Sequence, residues 1–169
     1  MNRMQFLRGN FTNEIVIRPP WAIPESDFTD VCDRCDQCVK SCHLNIIKRG
    51  SSGFPEIDFS NTGCDFCQVC VQNCLTDALQ LPEVTDQKPW NLKATIRNNC
   101  LSEKGVVCRA CGDICEMQAI RFKLAVGGIS LVEMNTSECN GCGECVSVCP
   151  VQAIEMKYVI ERCGESVNE

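Results

Sequence analysis

The sequence predicts an α+β chain of short helices and β-hairpins laid out as two tandem units, and two observations carry that expectation. The first is the placement of cysteine. Sixteen of seventeen cysteines in a chain of 169 residues fall into four groups of four: Cys32/Cys35/Cys38/Cys42, Cys64/Cys67/Cys70/Cys74, Cys100/Cys108/Cys111/Cys115 and Cys139/Cys142/Cys145/Cys149. The second is a short element after each fourth cysteine that ends in an apolar dipeptide: Asn45-Ile46-Ile47, Asp77-Ala78-Leu79, Gln118-Ala119-Ile120 and Gln152-Ala153-Ile154. Four copies at a period of roughly thirty residues form an internal repeat, and pairs of repeats make the units.

The first, second and fourth groups read C-x2-C-x2-C-x3-C, the bacterial ferredoxin spacing for [4Fe-4S] clusters. Four groups imply four such clusters, each held by thiolates. With only 6% aromatic residues and about one cysteine in ten, the chain is poor in core and needs staples. A disulfide framework is a rival reading, but cysteines three positions apart pair poorly and an odd total strands one thiol. Four-cysteine zinc sites are the other rival; they usually separate two C-x2-C pairs by a longer loop, which these groups lack.

In order along the chain, residues 1–26 read as an N-terminal arm and 27–81 as the first ferredoxin-like domain with two [4Fe-4S] clusters. Residues 82–98 read as a linker, because Pro82, Pro89 and Trp90 interrupt regular structure. Residues 99–160 form the second such domain, and 161–169 a polar tail. Between the second and fourth cysteine of each group a turn and short helical segment are expected. Phe54 to Phe59 and Ile129 to Met134 alternate apolar and polar residues, the latter entered through Gly127-Gly128. Lys123 to Met134 is therefore expected as a hairpin, with Ile46 to Phe59, turned at Gly50 to Gly53, as its counterpart.

In two-cluster ferredoxins the fourth cysteine of each motif ligates the other cluster. Applied here, the ligand sets are Cys32/Cys35/Cys38/Cys74 and Cys64/Cys67/Cys70/Cys42 in the first unit. In the second they are Cys100/Cys108/Cys111/Cys149 and Cys139/Cys142/Cys145/Cys115. The third group is irregular: Gly105 stands where the first cysteine belongs, and Cys100 lies five residues earlier, so Leu101 to Val107 loops out. Cys100 is expected to complete that set; an open or three-iron site is the alternative. Cys163 reads as an incidental thiol of the tail, and His43, beside Cys42, as a local hydrogen-bonding residue.

No catalytic residues are expected: no paired carboxylates, dinucleotide loop or activated nucleophile stands out. The formal net charge is −6, and each oxidised cubane with its four thiolates lowers the total by about 2 more. Such an acidic chain repels nucleic acid and anionic lipid and suits basic patches on protein partners. No apolar run reaches the length of a membrane span, and no export signal opens the chain, so a cytoplasmic location is expected. Arg18-Pro19-Pro20-Trp21 reads as a rigid extended stretch: either a strap over the first unit or a docking arm.

Met4 to Gly9 with Arg3, the Arg18-Pro19-Pro20-Trp21 segment, the four cysteine groups and Gly105-Val106-Val107-Cys108-Arg109-Ala110-Cys111 resemble the NapF family, the ferredoxin-type accessory proteins of periplasmic nitrate reductase systems. The resemblance covers nearly the full length. It implies an electron-transfer accessory protein with four [4Fe-4S] clusters. Its partner would be the catalytic molybdenum subunit of periplasmic nitrate reductase, in its cytoplasmic immature form, which it helps mature. Arg3 to Trp21 becomes a candidate interaction region. An alternative role is a permanent electron-transfer subunit linking quinol dehydrogenase components to a terminal reductase. The chain departs from the common ferredoxin pattern in that only Cys149 is followed by proline; His43, Leu75 and Glu116 follow the other fourth cysteines. Arg3 is followed by Met4, which argues further against a twin-arginine export signal.

Overall fold

Each fourth cysteine opens the same local conformation, and that repetition organises the chain. In the computed structural model, which describes residues 16–82, 88–125 and 128–159, the third residue after each fourth cysteine is left-handed. These residues are Asn45 (φ 54°), Asp77 (57°), Gln118 (51°) and Gln152 (50°). A left-handed residue reverses the chain, and Asn or Asp adopts it at least cost. The next two residues then turn inward: Ile46-Ile47, Ala78-Leu79, Ala119-Ile120 and Ala153-Ile154 are all buried. The carbonyl of the first of each pair accepts a backbone hydrogen bond from a distant segment: Ile46 from Asp58, Ala78 from Ile23, Ala119 from Asn135 and Ala153 from Arg97.

The helices are α1 (Glu25–Val31), α2 (Gln37–Ser41), α3 (Val69–Gln72), α4 (Ala110–Asp113) and α5 (Glu144–Ser147). The last four lie between the second and fourth cysteines of their groups, as expected. At one turn each they are too short to persist alone and depend on what their cysteines hold. Helix α1 has no counterpart in the expectation. Its signal was present in Pro24 followed by Glu25 and Asp27, since carboxylates in a first turn complement the helix dipole.

The strands are β1 (Ile47–Arg49), β2 (Pro55–Ile57), β3 (Leu92–Ile96), β4 (Ile120–Leu124), β5 (Ser130–Met134) and β6 (Ile154–Tyr158). Three antiparallel pairs result. β1 meets β2 with Ile47 opposite Ile57, and β4 meets β5 with Ile120 opposite Met134. The second hairpin starts at Ile120 rather than Lys123, because the chain enters β4 directly from the turn at Gln118. Gly127, part of its expected turn, lies outside the described residues.

The third pair corrects the linker expectation. β3 lies within 82–98 and pairs along its whole length with β6, Leu92 opposite Tyr158 and Ile96 opposite Ile154. The prolines stop at Pro89, and Leu92, Lys93 and Ala94 are buried, so the stretch beyond them folds as a strand. In the first half the equivalent pairing shrinks to one bridge, Ala22 to Leu79, flanked by Ile23 N–H to Ala78 O and Gln80 N–H to Trp21 O. Both halves thus run as entry strand or bridge, cysteine group, hairpin, cysteine group and return strand.

One continuous core serves both halves: Phe28, Phe54 and Leu79 on one side join Phe59 and Trp90, then Leu92, Ile154 and Met156. Trp90 stacks edge-on against Phe59 (centroids 6.1 Å) and Phe66 (5.8 Å). Trp21 meets Phe66 in the same way at 6.3 Å. Such edge-to-face pairs add roughly 0.5–1.5 kcal/mol each beyond their burial.

Of the two readings for Arg18 to Trp21, the packing favours the strap. Arg18 is 7% exposed and Pro19 and Pro20 are fully buried. The Arg18 guanidinium donates to Glu25 at 2.7 and 2.8 Å and to the Pro55 carbonyl at 3.1 Å, and lies over the Phe28 and Phe54 rings. Arg18 is thus an interior tie rather than a docking residue; residues 1–15 of the arm lie outside the described residues. Arg18→Ala strands the Pro55 carbonyl and is expected to cost about 2 kcal/mol. In a chain of this size that lowers the unfolding midpoint by roughly 4–8 °C, read by anaerobic circular dichroism. An unchanged midpoint would return Arg18 to the surface role.

Candidate metal centres

The cysteine groups fold into loops that curl around a point. In the first, second and fourth groups the side chain after the first cysteine caps the backbone N–H of the second: Asp33 to Cys35 (3.1 Å), Asp65 to Cys67 (3.2 Å) and Asn140 to Cys142 (3.0 Å). The residues on either side of the second cysteine are left-handed in all three loops: Arg34 and Asp36, Phe66 and Gln68, Gly141 and Gly143. Only the fourth group places glycine there. The other four side chains hold a conformation that costs on the order of 1 kcal/mol each and persists only where the surroundings enforce it. This alternation turns backbone N–H groups toward the sulfurs: Arg34 to Cys32, Phe66 to Cys64 and Glu144 to Cys142.

The thiols converge in crossed sets. One cavity, of about 340 Å³ with its open mouth, is lined by Cys32, Cys35, Cys38 and Cys74. A second of about 340 Å³ is lined by Cys42, Cys64, Cys67 and Cys70. A third of about 360 Å³ is lined by Cys100, Cys108, Cys111 and Cys149. The fourth set gathers Cys139, Cys142, Cys145 and Cys115, close enough that charge on Cys139 and Cys115 acts on both Cys142 and Cys145. We number these sites I, II, III and IV. In each, the last cysteine comes from the neighbouring group, because the one-turn helix carries it across.

Site III shows how the irregular group closes. After Cys100 the chain makes a 3-10 turn, Ser102–Lys104, and reverses at Gly105 (φ 76°). Buried Ser102 donates its hydroxyl to the Ser130 carbonyl, which ties the loop to β5. Val106 N–H returns to Leu101 O at 2.9 Å, and Cys108 comes back to face Cys100. The Asx cap and the left-handed pair are missing here, and Arg109 has an ordinary φ of −132°.

Burial sets the electrostatics. It pushes the thiols of Cys38 and Cys64 up to about 12 and those of Cys70 and Cys111 to about 11, with neighbouring cysteine charge adding to it. Cys145 is raised further for the same reasons. Four thiolates cannot share so apolar a pocket without a cation among them. All sixteen described cysteines are free rather than disulfide-bonded. An all-sulfur donor set of four, wrapped in N–H groups, fits an iron–sulfur cluster.

A further side chain, that of His43, lies beside site II. His43 is exposed; its Nε2 lies 3.1 Å from Asp65 and its Nδ1 3.9 Å from Cys67 Sγ, the local hydrogen-bonding position expected of it. Cys163 lies outside the described residues. The Asx caps and left-handed pairs escaped the sequence reading. Their only trace was the Asp, Asp or Asn after the first cysteine and the glycines of the fourth group.

Paired cysteine loops that exchange their last cysteine, on a frame of one-turn helices and hairpins, define a ferredoxin-type iron–sulfur protein. The family profile described as a 4Fe-4S dicluster domain matches residues 106–153. Over 143 residues the chain is 43% identical to the ferredoxin-type protein NapF of Escherichia coli (strain K12), covering 85% of each chain. It is 43% identical over 165 residues to NapF of Haemophilus influenzae, covering 91% of this chain and 92% of that one. It is 30% identical over 169 residues to the methylamine utilization ferredoxin-type protein MauM of Methylophilus methylotrophus, covering 90% of this chain and 74% of that one. The chain belongs to the NapF ferredoxin-type family.

The crossed arrangement is testable by chemical labelling. In Cys74→Ala, anaerobic alkylation and peptide mapping are expected to find Cys32, Cys35 and Cys38 newly reactive while Cys64, Cys67 and Cys70 stay protected. Labelling of the second trio instead would mean that each group ligates within itself.

Proposed function

We propose that the protein is a carrier of four [4Fe-4S] clusters, two in each of two tandem ferredoxin-like domains, and that it transfers electrons rather than transforming a substrate. The observation that carries this reading is the gathering of sixteen cysteines into four sets of four, with backbone N–H groups aimed at the sulfurs. Each site would accept one electron at a potential set by burial, charge and those hydrogen bonds. The domains are residues 27–81 and 99–160, the second completed by β3 from residues 82–98. The ligands are Cys32/Cys35/Cys38/Cys74, Cys64/Cys67/Cys70/Cys42, Cys100/Cys108/Cys111/Cys149 and Cys139/Cys142/Cys145/Cys115.

The partner we assign is the catalytic molybdenum subunit of a periplasmic nitrate reductase, met in the cytoplasm before export and helped toward maturity. Membership of the NapF family supports this, as does an acidic surface suited to a basic protein face. No helix among the described residues is long and apolar enough to cross a membrane.

Two measurements test the proposal. Anaerobically purified protein is expected to hold about sixteen iron and sixteen sulfide per chain, and Cys100→Ala to lose part of that iron. Saturation near twelve iron with a three-iron EPR signal would instead make site III incomplete. Tagged protein is expected to capture the immature molybdenum subunit from a cytoplasmic fraction; recovery solely with quinol dehydrogenase components would favour the permanent-subunit role.

A further inference from the structure

The two halves meet through the cysteine loops themselves. Cys64 N–H, in the site II loop, donates to the Cys142 carbonyl, in the site IV loop, at 2.7 Å. Glycine makes the approach possible: a Cβ on Gly63 would lie 2.6 Å from Cys142 O and 2.5 Å from Glu144 N, both backbone atoms. On the other loop, a Cβ on Gly143 would lie 2.2 Å from the Phe59 ring. Thr62 Oγ1 donates to Glu144 Oε1 at 3.0 Å, and Trp90 Nε1 to Asn140 O at 3.3 Å, which pins the junction from both sides.

We infer that this contact is an electron bridge and that it joins the four sites into one line, I–II–IV–III. The inference rests on the four-cluster reading above. Both residues at the junction belong to the proposed ligand sets. The route therefore runs from Cys64 Sγ through Cβ, Cα and N, across one short hydrogen bond, to the carbonyl, Cα, Cβ and Sγ of Cys142. Electronic coupling decays less along bonds and hydrogen bonds than across gaps between side chains, and here a single hydrogen bond is the only break. Within each half the sites are neighbours as well: charge on Cys70 of site II acts on Cys38 of site I, and charge on Cys111 of site III on Cys145 of site IV. The exchange is of one electron between two metal groups of the same chain. One group is oxidised as the other is reduced, and no proton moves and no bond breaks. Phe59, Phe66 and Trp90 pack around the junction and limit water there. Sites I and III become the two ends, where electrons enter or leave.

Pulsed EPR of the whole protein, reduced anaerobically with a low-potential chemical reductant, tests this by counting how many paramagnets interact. The unaltered protein is expected to show one interacting set of four, with about sixteen iron and sixteen sulfide per chain. Two independent pairs at full iron content would overturn the bridge and leave the four-cluster reading standing; an iron content well short of sixteen would overturn both. Gly63→Val drives a branched side chain into the Cys142 carbonyl. It is expected to keep its iron but to lose the fast electron exchange between halves, read by freeze-quenched EPR after partial reduction. A variant that holds its iron and exchanges electrons between halves as fast as the unaltered protein would deny the contact its role. Should Gly63→Val fail to load iron, the count on the unaltered protein decides.

Discussion

The convergence of four buried thiols on one point is the constraint from which the rest of this structure follows. Thiols in an apolar pocket resist ionisation, and burial raises Cys38, Cys64 and Cys145 well above their usual range. With an iron–sulfur cluster bound, its cationic core would favour the thiolate form of these cysteines and tie the loops together. Metal-binding energy is then folding energy. One-turn helices, two-stranded sheets and left-handed non-glycine residues are weak or strained elements taken singly. They are tolerable because every one is tied to a cysteine or to the buried dipeptide that follows a cysteine group.

The repeat is more exact in conformation than in sequence. The residues Asn45, Asp77, Gln118 and Gln152 differ, yet each is left-handed, and the carbonyl of the residue after each accepts from a remote strand or loop. The halves diverge where packing allows. The second has a full β3–β6 pair, while the first reduces this to a bridge and compensates with α1 and the Arg18 cluster. Site III departs most. Its loop lacks the Asx cap of the other three and relies on Ser102, anchored to β5. Its loop exposes Val106 and Val107, and apart from its cysteines the cavity at site III is lined by apolar residues alone.

The junction between halves is built from the same parts as the sites. Gly63 and Gly143 lie within the cysteine loops, and the aromatic residues around them come from the first hairpin, the second group and the entry to β3. Packing of the two halves and the relative placement of sites II and IV are therefore one problem with one solution. Trp90 illustrates this, since its ring fills the space between halves while its N–H satisfies a carbonyl of the site IV loop.

What the sequence determined by itself was local and periodic: the four cysteine groups, the short helices inside them, both hairpins and the inward dipeptides. The crossed thiol sets were written down by applying to that spacing the rule of two-cluster ferredoxins, in which the fourth cysteine of each motif serves the other cluster. Tertiary structure alone decided what depends on contacts between distant segments. A strand formed at Leu92–Ile96 because Ile154–Tyr158 was available to pair with it; the alternation of Leu92, Ala94 and Ile96 with Lys93 and Thr95 was its local trace, overshadowed by the prolines and tryptophan before it. Arg18 went inside because Glu25, Pro55 and two phenylalanine rings surround it, although an arginine beside two prolines reads as a surface arm. The order of sites II and IV was likewise invisible in the chain, since it rests on one hydrogen bond between residues far apart in sequence and on two glycines whose missing side chains let the loops touch.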